Sequence, residues 1–307
     1  MPDMRRLLLH RMPALNNIAR LPWIKGNIRK LEKGGSLWEP SRLFDNGEEG
    51  AWYDPSDLST MFQDSAGTTP VTADGQPVGL ILDKSQGLAL GPELIVNGDF
   101  ASGAGWDLSG GSIVAQQCVF NAAPSGAYAY QYSSNTPMVF RGRFDASNYT
   151  QGGFRLFAGG SGVSRSSNGS FSEVLSGNMS VAGININSPP CSVTVDNVSL
   201  RQILGNHASQ ATAAARPLYK VTGLCKWNDF DAVDDVLNTT FQSSLGSNCT
   251  VARGNVGAAP TILTGQTIGT SYANSVDNAG LIIVNRALTG QETIDLTAWL
   301  TAKGATS

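Results

Sequence analysis

The chain has 307 residues, of which 41% are hydrophobic and only 15% are charged, and its formal net charge is −3. That hydrophobic fraction can build a packed core, which excludes a wholly disordered chain. The abundant Gly, Ser, Thr and Asn disfavour a helical bundle and favour short strands joined by tight turns. No segment reaches the ~18 apolar residues of a transmembrane helix, and the apolar run at 7–9 is too short for a signal peptide. We therefore expect the protein to fold in the cytoplasm in which it is made.

Residues 1–35 differ from the rest of the chain in charge. The first 33 residues hold eight Lys or Arg against two acidic residues, a balance of +6 that leaves about −9 for the remainder. Pro13 and Pro22 interrupt any continuous helix, so short helical or extended pieces are expected. A basic arm on an acidic body favours docking onto a partner subunit over membrane targeting, and nucleic-acid binding is not expected. The predicted anchoring residues are Arg5, Arg6, Arg11, Arg20, Trp23, Lys25, Arg29 and Lys30.

Residues 36–90 and 204–307 have a common texture of apolar runs separated by turn sequences. Asp54-Pro55 and Asp74-Gly75 are turn signals in the first stretch. In the second, a short buried strand is predicted at 282–284, and a helix is predicted from Thr289 to Lys303. Thr289 and Glu292 have the spacing of a capping box. The predicted apolar stripe of this helix is Ile294, Leu296, Trp299 and Leu300.

Residues 91–203 have a different pattern. The stretches 126–132 and 193–200 alternate apolar and polar residues with period two, as half-buried strands do. Glycine-rich turns recur between them, for example at Gly110-Gly111 and Gly159-Gly160. Many short strands separated by such turns predict a β-sandwich or jelly roll.

Several strings in the two outer stretches carry a family resemblance. Residues 50–64 read GAWYDPSDLSTMFQD, with TADGQPVG at 72–79 and ILDKS at 81–85. GNHASQAT follows at 205–212, FDAVDDVL at 230–237 and LIIVNRAL at 281–288. These strings resemble the concanavalin A-like lectin/glucanase sandwich in its laminin-G-like form, which is common in phage structural proteins. The resemblance implies an all-β fold, with a sandwich trimmed by several strands because few residues remain between 237 and 281.

The order of these strings implies an inserted domain. In proteins of this type the Asp-Lys-Ser and Gly-Asn-His-Ala pieces lie almost next to each other, whereas here ~115 residues separate them, and a compact module can be inserted at an exposed loop whose ends are close. We predict an arm at 1–35, a discontinuous lectin-like sandwich at 36–90 and 204–307, and an insert at 91–203. The opening LIVNGDF at 94–100 and the closing VDNVSL at 195–200 of the insert resemble a carbohydrate-binding-module jelly roll.

Two kinds of binding site follow from the resemblance of the insert. Such jelly rolls often hold a structural calcium ion between the opening turn and the last strand, which would make Asp99 and Asp196 its carboxylate ligands. The alternative is that Asp99 caps a turn and Asp196 sits in a bend. Sugar rings pack well on aromatic faces, so aromatic residues of the insert are candidates for glycan contact, unless they belong to the core. These aromatic residues are Trp106, Tyr128, Tyr130, Tyr132, Tyr149 and Phe154. Tyr128, Tyr130 and Tyr132 are two apart and are therefore predicted to share one face of their strand.

Sequence signatures of catalysis are weak. His10 lies in the arm and His207 in a string where packing explains it. The adjacent acidic pairs 48–49 and 234–235 cannot each form a catalytic couple, because neighbouring residues on a strand point to opposite faces. The four cysteines are far apart and are expected to be buried thiols, although Cys118 and Cys191 could pair within the insert. We expect neither an enzyme nor a cofactor other than the calcium ion.

The resemblance and the arm together imply a structural protein of a phage virion, at the tail tip, baseplate or fibre. The arm would anchor it to other virion proteins, and the β-domains would contact the host surface, including its glycan. A trimer is expected by analogy with phage fibres. A capsid decoration or head-fibre protein is the alternative, and a polysaccharide-degrading enzyme is the least favoured reading.

Overall fold

The computed structural model describes residues 38–132 and 136–306. The predicted anchoring arm, including all eight of its anchoring residues, lies outside the described residues. Within them, strands dominate and a single α-helix lies near the C-terminus. The predicted all-β class with a C-terminal helix is therefore confirmed.

The first and last parts of the chain build one unit from two antiparallel sheets and a hairpin. Their strands are β1 (Gly50–Tyr53), β2 (Met61–Phe62) and β3 (Leu80–Ile81), followed after the insert by β12 (Ala208–Ser209), β13 (Leu218–Thr222), β14 (Cys225–Asp229), β15 (Leu237–Thr240), β16 (Gly246–Arg253), β17 (Thr261–Ile268), β18 (Ser271–Asn274) and β19 (Leu281–Val284). One sheet has the order β1-β19-β16-β17, and the other has the order β18-β15-β12-β3-β2. Three short 3-10 helices lie at Pro40–Phe44, Leu58–Thr60 and Ala213–Ala215.

Residues 38–90 and 204–306 share a hydrophobic core. Tyr53 and Met61 from the first segment pack with Tyr219 and Leu281 from the second. β1 pairs along its whole length with β19, and every residue of both strands is buried. A strand buried on both faces reads as a continuous apolar run rather than an alternating one, which explains the sequence of 281–284.

The second buried face of β1 and β19 is covered by helix α1 (Gly290–Gly304). The predicted capping box is confirmed, because the Thr289 hydroxyl accepts from the Glu292 N–H and the Glu292 carboxylate accepts from the Thr289 N–H. Leu296, Trp299 and Leu300 are buried against the sheet. Ile294 is 63% exposed, so its assignment to the apolar stripe was wrong. It lies two residues before Leu296, a rotation of about 200° around the helix axis.

Residues 90–203 form a second unit around one eight-stranded sheet. Its strands are β4 (Leu90–Glu93), β5 (Asp107–Ser109), β6 (Gly111–Val114), β7 (Gln117–Ala123), β8 (Tyr128–Tyr132), β9 (Met138–Ala158), β10 (Gly169–Gly177) and β11 (Val181–Ile203). β9 and β11 form one long antiparallel ribbon. Its first half holds the start of β9 and the end of β11 and is flanked by β10 and β4. Its second half holds the end of β9 and the start of β11 and is flanked by β8, which pairs in turn with β5.

This ribbon folds over on itself to make a sandwich. Phe144 and Phe154 belong to the same strand, yet their ring centroids are 6.1 Å apart. Ten residues of straight strand would span about 33 Å. The two halves of the ribbon therefore face each other across a common core, and each half turns its other side outward.

The two units meet in a small apolar cluster. Phe62, Leu80 and Leu82 of the first unit pack with Val139 and Val174 of the insert. A backbone hydrogen bond of 2.7 Å from the Ser176 N–H to the Ala66 carbonyl crosses the same contact. The insert therefore packs directly against the second sheet of the outer unit.

Candidate functional site

A row of tyrosines on β8 forms an aromatic face on the outside of the insert. The side chains of Ala129 and Gln131 are buried, whereas Tyr128 and Tyr130 are half-buried and Tyr132 is 66% exposed. Successive side chains of a strand point to opposite faces, so all three tyrosines lie on the outer side. The predicted common face of these tyrosines is thus the exposed one.

The rings of this face are held in contact with one another. Tyr128 and Tyr130 stack with ring centroids 4.5 Å apart and an interplanar angle of 8°. Tyr130 also meets Phe157 of β9 at 5.7 Å. In the strand register, Gly183 of β11 stands between these two residues. The two rings therefore lie on the strands that flank β11 at this glycine.

Polar groups border the aromatic face. Asp107 of β5 accepts hydrogen bonds from the hydroxyls of Tyr132 at 2.8 Å and Tyr128 at 3.4 Å. The hydrogen bond to this carboxylate raises the pKa of Tyr132 to about 12, so the hydroxyl stays neutral. On the other side, Asn185 and Arg155 lie in register with Tyr128. The aromatic face thus combines ring surfaces with both hydrogen-bond donors and acceptors. It comprises Asp107, Tyr128, Tyr130, Tyr132, Arg155, Phe157 and Asn185.

The structure separates the remaining predicted aromatic residues from this face. Trp106 is buried, stacks on Phe100 at 4.6 Å and donates its indole N–H to the Asn97 carbonyl. Phe154 is fully buried in the core of the insert. Both are therefore core residues, and their prediction as glycan contacts was wrong. Tyr149 is half-buried and packs against that core, and its hydroxyl donates to the Gly152 carbonyl at 2.9 Å.

Phe157, Arg155, Asn185 and Asp107 were not predicted to belong to the face. Alternation within 154–158 indicates that Phe157 and Arg155 share one side of β9, but it does not say which strand lies beside them. The register of the ribbon supplies that information. Since the paired strands are distant in sequence, no local signal could have placed these four side chains together.

The two predicted calcium ligands have hydrogen bonds of their own. Asp99 is exposed, and its carboxylate accepts from the Ala101 N–H at 3.2 Å, as in an Asx turn. Asp196 accepts from the Gln117 amide at 3.2 Å and from the Asn197 N–H at 2.7 Å. Neither belongs to a cluster of three acidic, His or Cys ligands among the described residues. Turn capping thus accounts for the contact of Asp99, whereas Asp196 lies within β11 and is held by Gln117 of the neighbouring strand.

One acidic cluster of that size does occur in the described residues, in the loop 231–235. Asp231, Asp234 and Asp235 bring carboxylate oxygens within 4.8 Å of one another. The Asp231 carboxylate accepts from three N–H groups of its own loop, including those of Asp234 and Asp235. The cluster is explained by this tight turn, which lies just before β15.

A buried aspartate joins the two ends of the insertion. Asp83 is fully buried, and its carboxylate accepts from the N–H groups of Trp52, Ser85 and Asn206 at 2.7–2.8 Å and from the Ser85 hydroxyl. The Asp83 N–H donates to Nδ1 of His207 at 3.0 Å. Burial raises the pKa of Asp83 to about 6 and lowers that of His207. The Asp-Lys-Ser and Gly-Asn-His-Ala strings are therefore in direct contact despite the insert between them.

Glu48 and the four cysteines, which were weighed for chemistry, are engaged or buried. Glu48 forms an ion pair with Arg286 at 3.0 Å. The four cysteines are all buried free thiols, and Cys118 and Cys191 do not pair. Burial raises the pKa of Cys118 to about 12 and that of Cys191 to about 11, which keeps both protonated.

Comparison with known proteins adds no family to this picture. Neither the models of known protein families nor the curated proteins contain a match to this chain. Within the part of the chain that the structure describes, no helix combines the length and apolar character required to cross a bilayer.

Proposed function

We propose that this protein is a structural, non-catalytic protein of a phage virion that contacts a glycan on the host surface through the aromatic face of its insert. The observation that carries the proposal is the stacked pair Tyr128–Tyr130, flanked by exposed Tyr132 and by Asp107. Large exposed rings on a soluble protein favour an interaction site. Here their placement on a rigid sheet favours a preformed one.

The chemistry of the face suits a sugar. The apolar C–H groups of a pyranose pack on open ring surfaces, while its hydroxyls need both acceptors and donors. Asp107 supplies an acceptor, Arg155 supplies donors and Asn185 supplies both. The stacking of Tyr128 on Tyr130 restricts both rings before binding, which reduces the entropy lost on complex formation.

The location on a virion is supported by the resemblance of the outer sequence strings to phage structural proteins and by the basic arm. A particle that displays many copies needs only weak individual sites, because multivalency raises avidity by about 10²–10⁴. Immunogold electron microscopy of the phage would place the protein on the tail, as proposed, or on the capsid. Deletion of residues 1–33 should abolish its incorporation; truncated protein at normal copy number would refute the anchoring role.

The binding proposal is tested with the purified full chain and surface polysaccharide from the host. Tyr130→Ala and Tyr132→Ala should each weaken binding about tenfold, since one lost ring contact is worth about 1.4 kcal/mol. Trp227→Ala is the matched control, because it removes a partly exposed ring from β14 in the other unit. Unchanged binding by both tyrosine variants would refute the site. A polysaccharide cut by the protein, with release of reducing ends, would refute the non-catalytic role.

A further inference from the structure

Three arginines meet on the side of the insert opposite to the aromatic face. In the register, Arg141 of β9 is paired with Arg201 of β11, and Arg143 follows two residues along β9. Phe140, Gly142 and Phe144 between them are buried, so the arginines lie on the outer side of the first half of the ribbon. Paired residues on adjacent strands are about 5 Å apart, and residues two apart on a strand are about 7 Å apart. Three guanidinium groups can therefore converge on one point.

These arginines have no acidic partner among the described residues. Lys84, Arg165, Arg286 and Lys303 form ion pairs with carboxylates, and none of these pairs involves Arg141, Arg143 or Arg201. Within the described residues, Arg141 and Arg143 make no hydrogen bond, and Arg201 makes a single one, from Nε to the Gly91 carbonyl at 2.7 Å.

The nearest carboxylates on this side are engaged elsewhere. Glu93 is in register with Arg201, but its carboxylate accepts from three backbone N–H groups and from the Ser199 hydroxyl. Asp145, two residues beyond Arg143, accepts from the Asn197 amide at 2.8 Å. The guanidinium donors are thus left directed to solvent or to a ligand.

Grouping three like charges is unfavourable when no carboxylate forms an ion pair with them. Arg141 is half-buried, and its pKa is lowered, first by burial and then by the charge of Arg143. Ionisable groups perturbed in this way cluster at functional sites. Guanidinium groups form paired hydrogen bonds with the oxygens of phosphate and carboxylate groups.

We propose that Arg141, Arg143 and Arg201 form an oxyanion site that binds a phosphate or carboxylate group of a small acidic ligand. The site is separate from the aromatic face and does not depend on it. It lies beside the contact between the two units, because Arg141 is paired with Val174 of β10, and Val174 packs in that contact. The further assignment of the oxyanion to an acidic sugar of the host surface rests on the proposed function.

The test follows the side-chain Nε–Hε NMR signals of the arginines in the full chain, assigned from single Arg→Gln variants. The probes are inorganic phosphate, glucose 1-phosphate, glucuronate and glucose. We expect the first three to shift the signals of Arg141, Arg143 and Arg201, and glucose to leave them unchanged. Raising the salt from about 0.05 M to about 0.5 M should weaken the binding. Equal shifts of every arginine in the chain, or no shift, would overturn the proposal.

Two double variants complete the test. Arg141→Gln with Arg143→Gln should weaken phosphate binding at least tenfold, read from the Arg201 signal. Lys220→Gln with Lys226→Gln removes the same charge from the β13–β14 hairpin of the other unit. This control should change the affinity for phosphate less than twofold. If the arginine double variant fails to fold, Arg143→Gln alone should still weaken binding, since Arg143 is exposed. Wild-type affinity in either arginine variant refutes the site.

The two proposals fail independently. Tyr130→Ala should lose binding to the host polysaccharide and keep the response to inorganic phosphate. Glucose 1-phosphate and glucuronate distinguish a phosphate ligand from a carboxylate ligand. If inorganic phosphate binds but neither acidic sugar does, the oxyanion site stands and its assignment to an acidic sugar is wrong.

Discussion

Removing the carboxylate of Asp83 tests how the two ends of the insertion are held together. The carboxylate accepts four hydrogen bonds, from Asn206 across the junction, from Trp52 of β1, and from the N–H and hydroxyl of Ser85. Asp83→Ala leaves these donors without a partner in a fully buried position. At a net contribution of about 1 kcal/mol for each hydrogen bond, the expected loss of unfolding free energy is about 4 kcal/mol.

Asp83→Asn should be milder and separates hydrogen bonding from charge. Its amide oxygen can still accept from the N–H groups of Trp52 and Ser85, but its amide nitrogen meets the Asn206 N–H, a second donor. The raised pKa of Asp83 shows that the folded state penalises the charge, so its removal offsets part of the loss. We expect a decrease of about 2 kcal/mol.

The measurement is urea unfolding at pH 7, followed by tryptophan fluorescence. Asp99→Asn is the matched control, because Asp99 is exposed and asparagine caps the same type of turn; its effect should stay within about 0.5 kcal/mol. An Asp83→Ala variant within about 1 kcal/mol of the wild type would refute the reasoning. The junction would then be held by its apolar packing and its remaining hydrogen bonds, such as that from the backbone N–H of residue 83 to His207.

Three further substitutions test other parts of the fold by the same unfolding assay. Hydrogen bonds from Arg286 lower the pKa of Glu292 from 4.5 to about 2. As the pH falls from 4.5 to 2, the wild type should therefore lose about 1–2 kcal/mol more than Glu292→Gln, after allowance for partial exposure; equal pH profiles contradict this. Tyr53→Phe removes a buried hydroxyl 2.7 Å from Thr239 Oγ1 and should lose about 1–2 kcal/mol; a change under about 0.5 kcal/mol speaks against it. Gly183→Ala places a Cβ 2.0 Å from the Ala129 carbonyl oxygen, so a loss above about 2 kcal/mol is expected, and wild-type stability would show that the strands can move apart.

Local patterns were sufficient for the elements whose signal lies within a few residues. The capping-box spacing of Thr289 and Glu292 located the start of α1, because helix capping depends on four consecutive positions. The alternation at 128–132 placed three tyrosines on one side of β8. The same kind of pattern misassigned Ile294, because an apolar residue on a helix need not belong to its buried stripe.

The candidate site was only partly predictable for a related reason. Six aromatic residues of the insert were equivalent as candidates in the sequence, and three of them lie on the exposed face. Trp106 and Phe154 fill the core, and Tyr149 packs beside it. Aromatic side chains serve both purposes, so composition does not distinguish a ligand contact from a core residue.

By itself, the sequence determined the all-β class, the C-terminal helix and the common face of Tyr128, Tyr130 and Tyr132, since each depends on a short-range period in the chain. Only the tertiary structure decided which side of each strand is covered and which distant strands lie side by side. Arg141 and Arg201 are 60 positions apart and meet through the register of a folded ribbon. Register is a property of two paired strands together, and a pattern read along one strand does not contain it.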